Sequence, residues 1–87
     1  MTFDEFREVI AGVNPDALLA DGLEPAAIGY TVGHHSEHVA VYDYDKCVET
    51  LVERDGMTPE DADEFLGVNT LGAYVGPHGP VYVKVVR

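Results

Sequence analysis

The most informative stretch for the fold is YDYDKCVETLVERDGMTPEDADEFLGVNTLGAYVG, residues 42–76. The stretch predicts the end of a strand, a helix to about Asp55, a sharp turn, a second helix and a strand. Gly56 suits the left-handed residue that ends a helix. Thr58 suits the N-cap of the next helix, and Pro59 suits its first position. A turn this short joins two helices into an antiparallel helical hairpin.

Segments of alternating apolar residues lie on both sides of this helical hairpin. Residues 26–32 and 38–42 alternate with period two and are separated by a short polar loop, which predicts an antiparallel β-hairpin. After the helices, residues 73–75 and 81–86 predict two more strands, joined by the turn Gly-Pro-His-Gly-Pro at 76–80.

The N-terminal segment predicts a small helical arm. Thr2 with Glu5 three residues later is a capping-box pattern, and Phe3, Phe6 and Ile10 fall on one face of the helix it opens. The Asn-Pro pair at 14–15 predicts a second, very short helix ending near residue 22.

Together these elements predict an α+β protein of order ααββααββ. The sheet is expected to be small and antiparallel, with about four strands in two hairpins, and to be covered by helices on one face. The chain of 87 residues is expected to form a single domain, with residues 1–24 as the arm and residues 26–86 as the core.

The amino-acid composition argues against several classes of function. Sixteen acidic residues against five Lys and Arg give a net charge of −11, which opposes direct binding to nucleic acid or to anionic lipid. No apolar run approaches the roughly 18 residues that span a bilayer, and Asp4, Glu5 and Glu8 stand where a signal peptide needs basic residues. Cys47 is the only cysteine, so an intrachain disulfide is excluded. We expect a cytoplasmic protein with no membrane partner.

The charge is also uneven along the sequence. Residues 43–64 carry nine acidic residues against Lys46 and Arg54, whereas no acidic residue follows Phe65. A solvated acidic helical surface that keeps the protein soluble is the general expectation for such a pattern. Adaptation to a salty cytoplasm is an alternative explanation.

Several uncommon motifs in this region resemble a family of small, functionally unassigned proteins encoded by bacteriophages and prophages. The shared features are the Lys-Cys pair at 46–47, the DGMT turn at 55–58 and the segment NTLGAYVG at 69–76. The resemblance covers roughly residues 26–83 and departs at Gly79-Pro80, where a Thr-Pro pair is usual. It implies a phage or prophage origin and supplies no catalytic residues and no cofactor.

Histidines give the best candidates for a metal site. His34, His35 and His38, with Glu37 between them, could gather a Zn²⁺ ion on a hairpin loop. The spacing matches no known helical zinc motif, so solvated histidines in a polar turn are the alternative interpretation.

Cys47 shares an apolar stripe with Val48 and Leu51, which predicts a buried structural cysteine rather than a nucleophile. The tyrosines carry a different prediction. Alternation on a small sheet should leave some of them outside the core, where tyrosine is a typical anchor of protein interfaces. The candidate interaction residues are four tyrosines and four acids of the helical hairpin: Tyr30, Tyr42, Tyr74, Tyr82, Glu49, Glu53, Asp61 and Glu64.

Three functional hypotheses follow. The leading one is a non-enzymatic interaction protein of phage origin that binds a host or viral protein in the bacterial cytoplasm, without a cofactor. The second is an acidic nucleic-acid mimic that blocks a DNA-binding host or defence protein. The third is a metal-dependent enzyme that uses the histidine loop. A homo-oligomer is compatible with all three, because self-association would cover an open sheet edge.

Overall fold

The computed structural model describes residues 2–32, 37–68 and 76–86, and it forms an α+β domain. The elements, in chain order, are α1 (Phe3–Val13), a 3₁₀ turn (Glu24–Ala26), β1 (Ala27–Tyr30), β2 (Ala40–Asp43), α2 (Tyr44–Asp55), α3 (Pro59–Leu66) and β3 (Val81–Val83). The α+β class predicted from the sequence is therefore confirmed.

Helix α1 begins with the predicted capping box. The Thr2 hydroxyl accepts a hydrogen bond from the Glu5 backbone N–H at 3.2 Å, and the Glu5 carboxylate accepts one from the Thr2 N–H at 3.3 Å. These two bonds pair backbone donors that a helix start would otherwise leave unsatisfied. Phe6 and Ile10 on the inner face of α1 are buried, so α1 packs into the core.

The turn between α2 and α3 is also as predicted. Gly56 ends α2 with φ +70°, in the left-handed region. Thr58 caps α3, its hydroxyl accepting a hydrogen bond from the Asp61 backbone N–H at 3.1 Å. Three residues, 56–58, therefore reverse the chain, and α3 packs against α2.

The second helix predicted for the N-terminal segment is wrong. Between Asn14 and Leu23 the chain forms two turns and no helix. The Asn14 Oδ1 accepts a hydrogen bond from the Asp16 backbone N–H at 3.1 Å, as at a helix N-cap. The Leu18 N–H, which would donate to the Asn14 carbonyl oxygen in a helix, instead donates to the His78 carbonyl oxygen at 3.0 Å, so a distant contact replaces the helical bond.

The sheet is mixed, with strand order β1-β2-β3, and this corrects the prediction of an antiparallel sheet. β1 and β2 form the expected antiparallel pair, in which Gly29 faces Val41 and Tyr30 faces Ala40, with a bulge between Ala27 and Gly29. β3 instead runs parallel to β2. The reason is the connection: Asp43 is both the end of β2 and the N-cap of α2, and two helices then return the chain to the start of a parallel strand.

The described residues contain three strands, so the predicted order ααββααββ with four strands is not confirmed. The predicted strand at 73–75 lies outside the described residues, and so does the pairing proposed for the second hairpin.

The core lies between the sheet and the helices. Its largest fully buried side chains are those of Tyr42, Cys47, Leu51 and Leu66. The apolar pattern of α3 predicts that Ala62, Phe65 and Leu66 face inward, but Phe65 is 42% exposed, so the prediction is wrong for that residue. Leu66 and Ala62 alone face the core from the described part of α3.

Candidate interaction surface

An apolar strip runs along the outer strand β1. Ile28, Tyr30 and Val32 are 52%, 37% and 70% exposed, respectively. We call these three residues the β1 strip. No charged residue occurs from Pro25 to Val32, whereas the whole chain carries −11. Exposed apolar side chains that are contiguous and free of charge are the usual mark of a binding surface.

The ring of Tyr30 is held in place by its neighbours. It packs edge-on against the His38 ring, with centroids 5.6 Å apart at an interplanar angle of 79°. The His38 ring is itself anchored, because its Nδ1 lies 2.7 Å from the carbonyl oxygen of Thr31 and must donate to it. Tyr30 is thus a restrained, partly exposed aromatic side chain, as interface anchors tend to be.

The other tyrosines named from the sequence do not lie on one surface. Tyr42 is fully buried, and its hydroxyl oxygen accepts a hydrogen bond from the Ala20 backbone N–H at 2.9 Å. Tyr82 is partly buried against Tyr42, with ring centroids 5.7 Å apart. Both belong to the packing under the helices, and burial raises the pKa of Tyr82 to about 12. Tyr74 lies outside the described residues.

The four acidic residues named from the sequence are exposed on the helical hairpin. Glu49 and Glu53 lie on α2, and Asp61 and Glu64 lie on α3. Glu49 forms an ion pair with Lys46 at 3.0 Å. Because both of these side chains are largely exposed, the pair is screened and adds little to stability. We call these four residues the acidic face.

Cys47 is a core residue, as the apolar stripe predicted. It is completely buried, and burial, with a smaller effect from the Asp43 carboxylate, raises the pKa of its thiol to about 11. At neutral pH the thiol is therefore protonated, and a protonated thiol is a poor nucleophile.

The histidine loop is only partly described. His34 and His35 lie outside the described residues, and His38 uses its Nδ1 for the bond to Thr31. Within residues 2–32, 37–68 and 76–86, no group of three or more His, Cys, Asp or Glu side chains is placed to hold a metal ion.

Asn14 forms a polar junction that the sequence alone did not reveal. Its Nδ2 donates to the carbonyl oxygen of His38 at 2.8 Å and lies 3.1 Å from Nδ1 of His78. The Leu18 backbone N–H donates to the His78 carbonyl oxygen at 3.0 Å, and Glu37 Oε2 lies 3.9 Å from His78 Nδ1. The junction joins the end of α1 to the residues before β2 and to the 76–80 turn. The only sequence signal was the Asn-Pro pair, which predicts a very short helix and no distant partner.

A groove of about 310 Å³ opens beside the start of β1. Its lining residues come from α1, the 3₁₀ turn and β1: Thr2, Phe3, Phe6, Glu24, Pro25 and Ala27. The rings of Phe3 and Phe6 stack with centroids 5.9 Å apart. The groove therefore combines an aromatic wall with one carboxylate, and it shares Ala27 with the strand that carries the β1 strip.

No helix in the described part of the chain is long and apolar enough to cross a membrane. Comparisons of the chain with protein-family models, with curated proteins and with solved structures gave no match in any of the three.

Proposed function

We propose that this protein is a non-enzymatic binding protein whose partner is another protein. The β1 strip carries the proposal: an uncharged, apolar surface with a restrained tyrosine, on a chain of net charge −11. A partner can bury its apolar side chains against such an uncharged surface. No charged group loses its water there, so the binding does not carry that desolvation cost.

The resemblance to small phage and prophage proteins supports a partner encoded by the host bacterium or by the virus, in the bacterial cytoplasm. The state of Cys47 supports a non-catalytic role, because the single thiol of the chain is buried and protonated.

Site-specific photocrosslinking in bacterial cells tests the proposal. A photoreactive phenylalanine analogue placed at Tyr30 is expected to crosslink one or a few proteins. The matched control carries the same analogue at Phe65, an aromatic residue of similar exposure on α3, beside the acidic face. If position 30 gives no product beyond those formed at position 65, the β1 strip is not a binding surface and the proposal is wrong.

The acidic face, together with Asp45 on α2, favours a second candidate function, mimicry of nucleic acid. Asp45, Glu49 and Glu53 are exposed and follow one another at intervals of four residues along α2. With a rise of about 1.5 Å per residue, they form a row of carboxylates about 6 Å apart along the helix. Asp45 pairs with Lys84 at 2.8 Å and Glu49 with Lys46 at 3.0 Å, so a basic partner would compete with these exposed pairs. Asp61 and Glu64 on α3 lie on the helix packed beside it. A regular row of negative charges is the feature that DNA-binding proteins recognise without regard to sequence.

The same crosslinking experiment separates the two functions. Mimicry predicts products at position 65 that are basic DNA-binding proteins, and binding that weakens steeply with salt. Reversing the charges of Glu49, Glu53, Asp61 and Glu64 to Lys should then abolish capture. Binding that survives either high salt or this charge reversal would eliminate mimicry.

A further inference from the structure

The outer edge of β1 presents backbone groups to solvent. The Thr31 N–H points inward and donates to the Val39 carbonyl oxygen at 3.0 Å. In an antiparallel strand, successive residues direct their N–H and C=O groups to opposite edges. The N–H and C=O groups of Tyr30 therefore point outward. The Val32 N–H does so as well, because it lies opposite the Thr31 carbonyl group, which faces His38. Within the residues that the structure describes, β1 is an edge strand with no further strand beyond it.

The groove lies at the start of this edge. Ala27 is both the first residue of β1 and part of the groove lining. A strand that paired with the outer edge of β1 would run past the groove and place a side chain over it. The wall of Phe3 and Phe6 suits an apolar side chain or the aliphatic stem of a lysine or arginine, and the Glu24 carboxylate suits the cationic end of such a stem.

The net negative charge of the chain indicates which kind of partner would bind the outer edge of β1. The chain has sixteen acidic residues and five Lys and Arg, so a second copy would bring −11 against −11. A basic segment is attracted by the same field, which raises its association rate as well as its affinity. The strand itself is uncharged, so a basic side chain of the partner would lie beside Glu24, the acidic residue that lines the groove, rather than against the strand.

We propose that the outer edge of β1 binds an extended, lysine- or arginine-rich segment of a partner protein, which adds to the sheet as a fourth strand and fills the groove with one large side chain. This inference rests on the proposed function, and it names the binding mode and the chemistry of the partner. Backbone hydrogen bonds to an edge strand supply affinity in such complexes, and side-chain pockets supply selectivity.

A synthetic peptide supplies the first test. The probe is a fluorescein-labelled nine-residue peptide that alternates lysine with valine around a central phenylalanine, and the control replaces each lysine by glutamate. Fluorescence anisotropy should show at least tenfold tighter binding of the lysine peptide. Equal binding of the two peptides, or no binding of either, overturns the proposal.

Amide hydrogen exchange then separates strand addition from simple charge attraction. The lysine peptide should slow exchange at the Tyr30 and Val32 amides, whereas the Thr31 amide is already protected by its bond to Val39. Protection confined to helices α2 and α3 would show that the peptide binds the acidic face, and the proposal would be wrong.

Two variants with matched controls complete the test. Val32→Pro removes an outward N–H without breaking the pairing of β1 with β2, and should weaken peptide binding at least fivefold. Val86→Pro changes a valine that is 96% exposed and lies beyond β3, so binding should not change. Glu24→Gln should weaken binding about threefold, and Glu64→Gln on α3 should have no such effect. The proposal would be overturned if each variant changed peptide binding no more than its control.

The failure of this inference is distinguishable from failure of the proposed function. A partner that crosslinks at position 30 but binds Val32→Pro and the parent protein equally leaves the proposed function standing and eliminates strand addition. Sedimentation could instead show that the protein is a dimer and that Val32→Pro dissociates it. In that case a second copy of the chain binds the edge, and the proposal of a basic partner is wrong.

Discussion

The side-chain amide of Asn14 lies 3.1 Å from Nδ1 of His78, a residue 64 positions later in the chain. The Asp16 N–H, which can only donate, faces the Oδ1 of Asn14 and so fixes the orientation of the amide. Nδ2 must then face both the His38 carbonyl oxygen and the His78 ring. His78 Nδ1 therefore accepts a hydrogen bond, and the neutral ring carries its proton on Nε2.

Replacing Asn14 by aspartate tests this junction. The Asn14→Asp side chain keeps the acceptor for the Asp16 N–H but cannot donate to His38 or His78, and it places a carboxylate oxygen against the His38 carbonyl oxygen. Because Asn14 is buried, we expect the free energy of unfolding at pH 7 to fall by about 2 kcal/mol, measured by urea denaturation. The exposed neighbour provides the control: Asp16→Asn should change it by less than ~0.5 kcal/mol. Equal effects would mean that the Asn14 contacts do not stabilise the fold.

Sequence reasoning succeeded where the determining contacts are local. The Thr2–Glu5 capping box, the left-handed Gly56 and the Thr58 cap each depend on residues within three positions of one another. Their geometry follows from backbone stereochemistry, so the pattern of residue types was sufficient to predict them.

Sequence reasoning failed where a distant contact decides the outcome. The Asn-Pro pair favours a helix start, yet the Asn14 side chain binds residues 24 and 64 positions away. The alternation of Val81–Val83 predicts a strand but not whether it runs parallel or antiparallel to β2. The two helices between β2 and β3 determine that direction. In the same way, alternation identified Tyr42 and Tyr30 as strand residues without showing that one is buried and the other exposed.

Two glycines provide a test of backbone strain alone. A Cβ atom added at Gly56 or at Gly67 would meet no atom within 4 Å, but Gly56 has φ +70° and Gly67 is right-handed with φ −61°. Gly56→Ala should therefore reduce the free energy of unfolding by about 1 kcal/mol, and the β-branched Gly56→Val by more than that. Gly67→Ala should leave it unchanged or raise it by up to about 1 kcal/mol, since alanine restricts the unfolded chain.

Urea melts of the glycine variants decide this prediction. Because both positions are open, the difference between Gly56→Ala and Gly67→Ala reflects the backbone conformation of each residue and not a steric clash. If the two variants were equally stable, residue 56 would not be held in a left-handed conformation, and the tight turn between α2 and α3 would be wrong.

The N-cap of α3 should make its own contribution to the free energy of unfolding. Thr58→Ala removes the acceptor of the Asp61 N–H and should cost about 1 kcal/mol of unfolding free energy. Thr58→Ser keeps the hydroxyl and should recover most of the loss. Glu49→Gln on the acidic face serves as the surface control and should change stability by less than ~0.5 kcal/mol. A Thr58→Ser variant as unstable as Thr58→Ala would attribute the effect to the lost methyl group instead of the cap.

Burial of Cys47 should make stability depend on alkaline pH. The thiol has an ordinary pKa of 9.0, and burial raises it to about 11 in the folded protein. A pKa raised on folding means that the folded state holds the proton more tightly than the unfolded state. The stabilisation is therefore complete below pH 9 and is lost as pH rises from 9 through about 11. A difference of about two pH units corresponds to about 2 to 3 kcal/mol at most.

Urea denaturation at pH 8.5 and pH 10.5, on the native protein and on Cys47→Ala, measures this dependence. Cys47→Ala loses packing and should be less stable at pH 8.5, but its stability should fall less between the two pH values, because it has no thiol to ionise. The buried tyrosines titrate at higher pH and are the same in both proteins: the pKa of Tyr82 is raised to about 12 by burial, and that of Tyr44 to about 12 mainly by the hydrogen bond to Asp63. Parallel pH profiles for the two proteins would mean that Cys47 ionises as easily in the folded state as in the unfolded chain, which complete burial of the thiol does not permit.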